Sequence, residues 1–426
     1  VFLSSVPVFL APGNHDYDYG EDNLRALISS AAFPVVNCNI YDRNTGRRPE
    51  YLKPWVLLNH RGVKIALTGI LDPKAAKSLG KKLYTFEIRD ETEELLKILP
   101  EIEKAGPDVI VVLAHMGVYR ECKHESPEHC SRGRYVDSAG NLALAHKLKG
   151  KPVVILGGHI HGSIPHGYRD PKSGIWVGES GAMLETFTRA ELRFDDKTGK
   201  YLGAKLRLRD INPSVAGQQP QLLAAVSALS EQASPGLDLV LGTSPVTLDM
   251  EVASEPSLAE WIADVYRERF KTDFGFMHRT GLRMPLYAGP LTPRDIYNCL
   301  PYDNTVLVMK LKGSGILEAL RDNYNYRGKF HLRFSGLKAH YLLTPKGELS
   351  SIRASIGGKP LDPEKYYTAA LSSYLISGVQ WGKAFQNAQK TKDTGVNARQ
   401  PLIDALRTSG RLRPPDDGPR NTEEKT

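Results

Sequence analysis

The sequence predicts an α/β layered sandwich followed by a second domain of the α+β class. In the first half, short apolar runs such as 108–114 and 152–156 alternate with helical stretches, the pattern of a sheet with helices packed on its faces. Both runs end in polar loops that contain histidine, and open α/β sheets bind their ligands at this carboxyl edge. At 426 residues, the chain is also long enough for two domains with separate cores.

The first domain is predicted to span 1–212. Its elements in chain order are a strand at 6–10, a helix at 21–32, a hairpin of 55–60 and 63–70, a helix at 90–105, a strand at 108–114, a helix at 138–149 and a strand at 152–156. The hairpin turns at Arg61-Gly62. Asp90 and Glu93 form a capping box at the start of their helix, and Gly106-Pro107 ends it. Antiparallel strands at 175–178, 188–194 and 201–211 are expected to close the domain.

The second domain is predicted to span 237–410, after a linker at 213–236 that is rich in Pro, Gln, Ser and Ala and contains one helix. Its first strand is expected at 237–242. Ser257 and Glu260 form a second capping box, and the helix that follows has an apolar stripe that we expect in the core: Leu258, Trp261, Ile262, Val265 and Tyr266. The charged, Pro-rich tail 411–426 is predicted to be disordered.

Composition narrows the class of function. The chain is 41% hydrophobic and 24% charged, as in ordinary globular proteins, and it has no apolar run of the length of a membrane span. Its formal charge of +8 is spread without a long Lys/Arg block. This favours a mildly basic surface over a protein that binds a nucleic-acid polymer, and it suits a phosphorylated, anionic substrate.

The cysteine content gives a hint about the compartment. The chain has four cysteines, too few for a disulfide framework at this size: Cys38, Cys122, Cys130 and Cys299. Cys122 and Cys130 share one polar loop and could pair, which favours a secreted or a secretory or vacuolar compartment. With His124 and His129 this loop also offers a zinc-like ligand set. Its spacing matches no structural zinc pattern, so a disulfide or a plain polar loop is favoured.

Three loops place nitrogen or oxygen ligands just after a hydrophobic strand. Asn14, His15 and Asp16 follow the run 8–10, His115 follows 111–113, and the motif GGHIHG at 157–162 follows 154–156. Each is weak evidence alone, because His115 could be a satisfied polar residue and GGHIHG a glycine-rich turn with solvated histidines. Together they can converge on one crevice at the sheet edge, and neutral imidazoles suit a divalent transition metal.

With these motifs, GNHD at 13–16, AHMG at 114–117 and GGHIHG, the chain resembles the calcineurin-like metallophosphoesterases, within them the two-domain 5′-nucleotidase family. The resemblance implies a four-layer-type metallophosphoesterase β-sandwich flanked by helices. It also implies two divalent ions, zinc, manganese or similar. The ligands implied for one metal are Asn14, His115 and His159, and His161 would bind the other.

The resemblance also places His15, oriented by Asp16, near the scissile phosphate. Two neighbouring divalent ions can bind phosphate oxygens and lower the pKa of a bridging water. A carboxylate partner favours the cationic form of an imidazole, which stabilises a phosphoryl oxygen or the departing alkoxide. Asp16 could instead cap the following helix.

The second domain carries altered versions of the family's nucleoside-binding signatures. The matching positions are His278, Arg283, Tyr302, Tyr374 and Gln380. Tyr302 and Tyr374 keep flat faces that could sandwich a base, although both could also be core aromatics. The Asp that would bind the ribose hydroxyls falls at Gln380. Its single acceptor oxygen should weaken ribose selection.

The leading expectation is therefore a metal-dependent phosphoesterase that hydrolyses phosphate monoesters, with nucleotides as the expected substrates. The alternatives are a non-catalytic binding or scaffold relative, and a phosphodiesterase or a phosphatase for other substrates. The family's two earlier motifs, Asp-x-His and Gly-Asp, do not occur in this sequence. We thus expect an N-terminally truncated chain that binds metal poorly and hydrolyses little.

Overall fold

The structure is a computed structural model that describes residues 7–76, 85–121, 134–212, 217, 219–250, 257–325, 330–377, 382–415 and 418–425. The chain divides into two compact units, Val1–Leu222 and Leu223–Thr426. The division falls within a helix, Pro220–Ala233, inside the segment that the sequence assigns to the linker.

The first unit is built around a six-stranded mixed sheet with the strand order β2-β3-β5-β8-β10-β9. The strands of this unit are β1 (Ile40–Asp42), β2 (Trp55–His60), β3 (Val63–Leu71), β4 (Phe86–Ile88), β5 (Val109–His115), β6 (Arg120–Glu121), β7 (Arg134–Tyr135), β8 (Val153–Gly157), β9 (Tyr168–Arg169), β10 (Trp176–Glu179), β11 (Thr186–Phe194) and β12 (Tyr201–Asp210). The helices are α1 (Glu21–Ser30), α2 (Pro73–Ala76), α3 (Glu91–Lys104) and α4 (Gly140–Lys147), and α5 (Pro220–Ala233) spans the division. The predicted α/β class is confirmed.

The centre of this sheet is parallel and apolar on both faces. Strand β5 pairs in parallel with β3 on one side and with β8 on the other. Its residues Ile110 and Val112 pack in one core cluster with Ile98 and Ile102 of α3. That helix starts as predicted, because the Asp90 carboxylate accepts the backbone N–H groups of the first turn. The parallel centre brings the carboxyl ends of β5 and β8 to the same edge.

One predicted strand direction is wrong. The segment 175–178 was expected to be antiparallel, but β10 pairs in parallel with β8 and is antiparallel only to the short β9. The chain returns through 158–175 to the start of the sheet before it forms β10, so β8 and β10 run in the same direction. Strands β11 and β12 form the expected antiparallel hairpin.

The second unit contains a five-stranded mixed sheet, in the order β17-β14-β21-β16-β22, and a four-stranded sheet, β20-β19-β18-β23. Its strands are β13 (Gly242–Ser244), β14 (Phe274–His278), β15 (Gly289–Leu291), β16 (Thr305–Lys312), β17 (Leu332–Ser335), β18 (Lys338–Leu343), β19 (Leu349–Ile356), β20 (Lys359–Pro360), β21 (Tyr366–Ser372), β22 (Lys390–Asn397) and β23 (Asn421–Lys425). Its helices are α6 (Leu258–Phe270), α7 (Pro293–Cys299), α8 (Gly313–Asn325), α9 (Tyr374–Ser377), α10 (Lys383–Gln386) and α11 (Gln400–Ser409).

Helix α6 forms the predicted amphipathic element of this unit. Ser257 and Glu260 make the capping box, since the Ser257 hydroxyl accepts the Glu260 N–H and the Glu260 carboxylate accepts the Ser257 N–H. All five residues of the predicted stripe are buried in one core cluster. The capping and stripe predictions are confirmed.

Two predictions for the second unit are wrong. The strand expected at 237–242 is confined to Gly242–Ser244, which pairs with β15. The preceding residues 237–241 form a turn and irregular backbone, and Leu239 and Val240 are 69% and 64% exposed. In the tail expected to be disordered, β23 pairs in parallel with β18. The buried Arg420 guanidinium donates to Phe334 C=O and Asp264, so the tail is anchored by contacts that its composition does not predict.

Two further expectations concern cysteines and membranes. Cys38 and Cys299 are buried and reduced, whereas Cys122 and Cys130, with the rest of their loop, lie outside the described residues. Among the helices that the structure describes, none combines the length and the apolar character needed to cross a bilayer.

Candidate active site

Two of the predicted ligand loops are joined to each other at the carboxyl edge of the first sheet. Strands β5 and β8 are neighbours, with Ala114 opposite Gly157 in the register. Just beyond the strands, the Gly158 N–H donates to the Met116 C=O at 3.2 Å. This contact holds the loop that carries His115 beside the GGHIHG turn.

The third loop meets His115 directly. Asn14 is 3% exposed, and its Oδ1 lies 2.7 Å from Nε2 of His115. The ring of His115 packs so closely on Gly13 that a Cβ at position 13 would lie 2.5 Å from Cε1. Glycine is therefore required next to Asn14 for the imidazole to reach the amide oxygen.

The GGHIHG turn has an unusual backbone at both of its histidines. His159 and His161 have φ angles of 73° and 59°, in the left-handed region that residues with a Cβ rarely adopt. Between them, Ile160 is buried against Gly117 of the neighbouring loop. Conformations that cost free energy are found mainly at functional sites, where the surrounding structure maintains them. The turn places the His159 ring 4.9 Å from that of His115.

Electrostatics keep the central imidazole neutral. Burial, first, and the charges of neighbouring imidazoles lower the pKa of His115 to about 4. Those imidazoles belong to His159, His15 and His161, so the structure brings together all four histidines that the sequence predicts. A neutral imidazole is the form that binds a metal.

The carboxylates around His15 are arranged differently from the expected His15–Asp16 pair. His15 Nδ1 lies 2.9 Å from Oδ2 of Asp18, a residue that the sequence prediction did not select. Asp16 Oδ2 accepts the Gly13 N–H at 2.7 Å, within the short helical turn that contains Asp16 itself. The following helix α1 begins after Gly20, so Asp16 does not cap that helix, which was the alternative considered. Residues 14–17 form a 3₁₀ helix, in which side chains three residues apart eclipse, and this geometry aligns His15 with Asp18.

The donor set at this edge fits a divalent metal. The amide oxygen of Asn14 and the neutral ring of His115 converge at hydrogen-bond distance, with His159 beside them. In the described part of the chain, Asp137, His146 and Asp170 also bring three donor atoms within 4.8 Å of one another. There Asp170 pairs with His146, and Lys172 pairs with Asp137. We assign no ion to that cluster because its donor atoms already have partners within the protein.

A buried carboxylate beneath the GGHIHG turn was not predicted from the sequence. Glu179, the last residue of β10, is 2% exposed, and its Oε2 accepts the Val118 N–H at 3.4 Å. Burial raises the pKa of Glu179 to about 8. A Cβ at Gly162 would lie 3.3 Å from the same Oε2. No sequence signal marks this residue, because its environment depends on the register of β8 and β10.

The nucleoside-binding positions predicted in the second unit form two contacting pairs. His278 is 1% exposed, its ring lies 4.9 Å from that of Tyr374, and a Cβ at Gly281 would lie 2.2 Å from its Cε1. Burial, together with the charges of Arg283 and His331, lowers the pKa of His278 to about 3. His278 is therefore a neutral, buried support for the half-buried Tyr374.

The second pair is Arg283 and Tyr302. The Arg283 Nε donates to the Tyr302 hydroxyl at 2.8 Å, and its guanidinium carbon lies 5.1 Å from the ring centroid. A buried arginine that the sequence reasoning missed, Arg399, donates to the C=O groups of Leu300 and Tyr302 and holds this loop. Gln380 lies outside the described residues.

The two tyrosines belong to segments that are joined by backbone contacts. The Ser373 N–H donates to the Thr305 C=O, and the Thr305 N–H donates to the Ser373 hydroxyl. Tyr374 follows one of these residues, and the loop with Tyr302 precedes the other. The fold thereby brings the two aromatic positions into one region of the second unit.

Comparisons with known proteins agree with this two-part organisation. Residues 2–163 match the family model described as calcineurin-like phosphoesterase, and residues 240–387 match the model described as 5′-nucleotidase, C-terminal domain. The first match includes the candidate metal ligands, and the second includes Tyr302 and Tyr374.

Two bacterial proteins are similar to this chain over both of its units. The chain is 25% identical over 408 residues to the UshA protein of Yersinia enterocolitica, covering 87% of this chain and 71% of the relative. It is 25% identical over 410 residues to a 5′-nucleotidase of Vibrio cholerae, covering 87% and 70%.

Solved structures match in fold. A 5′-nucleotidase precursor from Thermus thermophilus superimposes with a TM-score of 0.77 at 24% identity, over 97% of this chain and 83% of that one. The sulfate thiohydrolase SoxB of Thermus thermophilus superimposes with a TM-score of 0.71 at 17% identity, over 97% and 72%. These two structures are similar to the chain in fold. Calcineurin-like phosphoesterases use divalent metals. The two family models show that the chain combines a calcineurin-like phosphoesterase domain with a 5′-nucleotidase C-terminal domain, and so belongs to the hydrolases that act on phosphate esters.

Proposed function

We propose that this protein hydrolyses nucleoside monophosphates to nucleosides and phosphate, with a water activated by two divalent metal ions. The observation that carries the proposal is the convergence of Asn14, His115 and His159 at one sheet edge. The relatives named 5′-nucleotidase support the substrate class.

The residues of the first unit would have two roles, metal binding and proton transfer. Asn14, His115 and His159 would hold one ion and His161 the other. Bound ions of this kind supply a nucleophilic water at neutral pH and stabilise the charge that develops on phosphate oxygens. His15 would donate a proton to the leaving oxygen, and we assign its orientation to Asp18 rather than to Asp16.

The second unit would bind the nucleoside. Tyr302 and Tyr374 offer ring faces for a base, and each stacking contact contributes on the order of 1–3 kcal/mol. Arg283 fixes Tyr302 through its hydroxyl. Gln380 would contact the ribose with one acceptor oxygen, so we expect weak discrimination between sugars.

A substrate panel tests this proposal. Phosphate release is measured with Mn²⁺ or Zn²⁺ for nucleoside monophosphates, p-nitrophenyl phosphate and bis-p-nitrophenyl phosphate. We expect preference for the nucleotides, loss of all hydrolysis in His159→Ala, and retention in the matched control His166→Ala, whose imidazole is exposed in the same unit. Preference for the diester would favour a phosphodiesterase. No phosphate release from any ester, by a chain that binds Mn²⁺ or Zn²⁺, would favour a non-catalytic relative.

A further inference from the structure

We propose that Glu179 is a positioning residue for the metal-binding loops, and that its buried carboxylate compensates for the positive charge of a divalent ion held there. This inference rests on the proposed function, because it assigns metal binding to the loops that carry His115, His159 and His161. It adds a residue for which neither the motifs nor the sequence spacing gives a role.

Glu179 contacts both the loop that carries His115 and the GGHIHG turn that carries His159 and His161. Its Oε2 accepts the N–H of Val118, three residues after His115. The same oxygen lies beside Gly162, which follows His161. Its backbone C=O accepts the Ile164 N–H at 3.0 Å, and its register partner in β8 is Gly157. One residue thus fixes the beginning and the end of the GGHIHG turn and the adjoining loop.

The second oxygen of this carboxylate has no protein partner. Oε1 of Glu179 is buried and makes no hydrogen bond with the residues that the structure describes. The cation whose charge reaches Glu179 is Arg120, but this side chain is engaged with Tyr135 through a hydrogen bond of 3.1 Å and a cation–π contact. Without full compensation, burial favours the neutral acid in the metal-free protein, and a nearby divalent ion would favour the ionised form.

Glu94 of the same unit shows how a buried carboxylate is otherwise satisfied. It is 1% exposed, yet it accepts hydrogen bonds from Tyr41 and Lys97 and also from Arg48. Removing its charge should therefore weaken the fold. Replacing Glu179 with a side chain that cannot ionise should instead spare the metal-free fold, in which burial favours the neutral acid, and weaken metal binding. Outer-shell partners of metal ligands typically contribute about 10- to 100-fold in affinity.

The test compares Glu179→Gln with Glu94→Gln in the full 426-residue chain. Calorimetry with Mn²⁺ or Zn²⁺ alone gives the Kd, and thermal unfolding gives Tm with and without the ion. We expect Glu179→Gln to keep or raise the metal-free Tm, to raise Kd by about 10- to 100-fold, and to reduce the Tm gain on metal addition. Glu94→Gln should lower the metal-free Tm and keep the wild-type Kd. Glu179→Asp, which retains the charge, should bind metal more tightly than Glu179→Gln.

Three results would overturn the inference: an unchanged Kd in Glu179→Gln with a lowered Tm, equal affinities for the Asp and Gln variants, or no binding of either ion by the wild-type chain. Wild-type metal binding that Glu179→Gln weakens, without hydrolysis of any phosphate ester, would support the role of Glu179 and contradict the proposed function. The two proposals can therefore fail separately.

Discussion

The two predicted sites of this protein each contain a histidine packed against a glycine, and they use it differently. His115 lies over Gly13 and His278 lies over Gly281, and both have a pKa lowered well below the ordinary value. His115 directs Nε2 at another potential ligand atom, the amide oxygen of Asn14. His278 is fully enclosed beneath the ring of Tyr374.

This is the difference expected between a metal-binding centre and a structural support. In the first unit, burial and neighbouring imidazoles remove the proton and leave lone pairs close together, which is what a metal ion requires. In the second unit, burial and the charge of Arg283 remove the proton from a ring that supports an aromatic face. A neutral buried histidine is therefore not by itself a sign of a metal site; the neighbouring donor atoms decide.

Outside the proposed metal ligands, Asp18 of the first unit is the residue whose loss should lower activity most. If Asp18 orients His15 as the proton donor, Asp18→Asn should lower kcat for nucleoside monophosphates by about 10- to 100-fold, part of the roughly 100- to 10,000-fold that a positioned acid contributes. The loss should be much smaller for p-nitrophenyl phosphate, since its leaving group departs without protonation.

The matched control for this prediction is Asp16→Asn, which keeps an oxygen to accept the Gly13 N–H. It should retain near-wild-type kcat on both esters. An equal loss for good and poor leaving groups in Asp18→Asn would mean that Asp18 only shapes the loop.

Tyr374 tests the second unit as a platform for a base. Tyr374→Ala should raise KM for nucleoside monophosphates by about 5- to 150-fold, the range that corresponds to about 1–3 kcal/mol of stacking. It should leave KM for p-nitrophenyl phosphate and the metal affinity unchanged. Tyr287→Ala, which removes an exposed tyrosine of the same unit, is the control and should change neither constant. A parallel loss on both substrates would assign Tyr374 to folding.

The features that the sequence predicts correctly depend on residues close together in the chain. Asp90 and Ser257 cap their helices as expected because the groups they satisfy lie within the next three residues. Strands β5 and β8 are continuous apolar runs, so their ends and the loops beyond them can be located without knowing the fold.

The features that the sequence misses depend on partners that are far away in the chain. Glu179 meets Val118 across 61 residues, Arg399 meets Tyr302 across 97, and β23 joins a sheet edge formed some 80 residues earlier. Each depends on strand register, which composition and periodicity do not specify. Asp18 is the exception, because it is local. The choice between Asp16 and Asp18 required the 3₁₀ geometry, which aligns positions three apart.

Substitution of His278 is expected to have the smallest effect on activity. Its role as a support is tested most sharply by the stability of the protein at acidic pH. The pKa of His278 is about 3 in the folded protein, against about 6.5 for an ordinary histidine. Between these values the unfolded chain binds the proton and the folded one does not, so His278 makes stability fall as the pH decreases from about 6.5 towards 3.

His278→Gln removes this pH-dependent contribution to the free energy of unfolding. From urea unfolding at pH 7 and pH 4.5, the wild type should lose at least about 1 kcal/mol more stability than the variant, since one pKa unit corresponds to about 1.4 kcal/mol. At neutral pH, hydrolysis of p-nitrophenyl phosphate should be unchanged. Equal acid sensitivity of the two proteins would show that His278 is already protonated in the folded state, and the contrast with His115 would be lost.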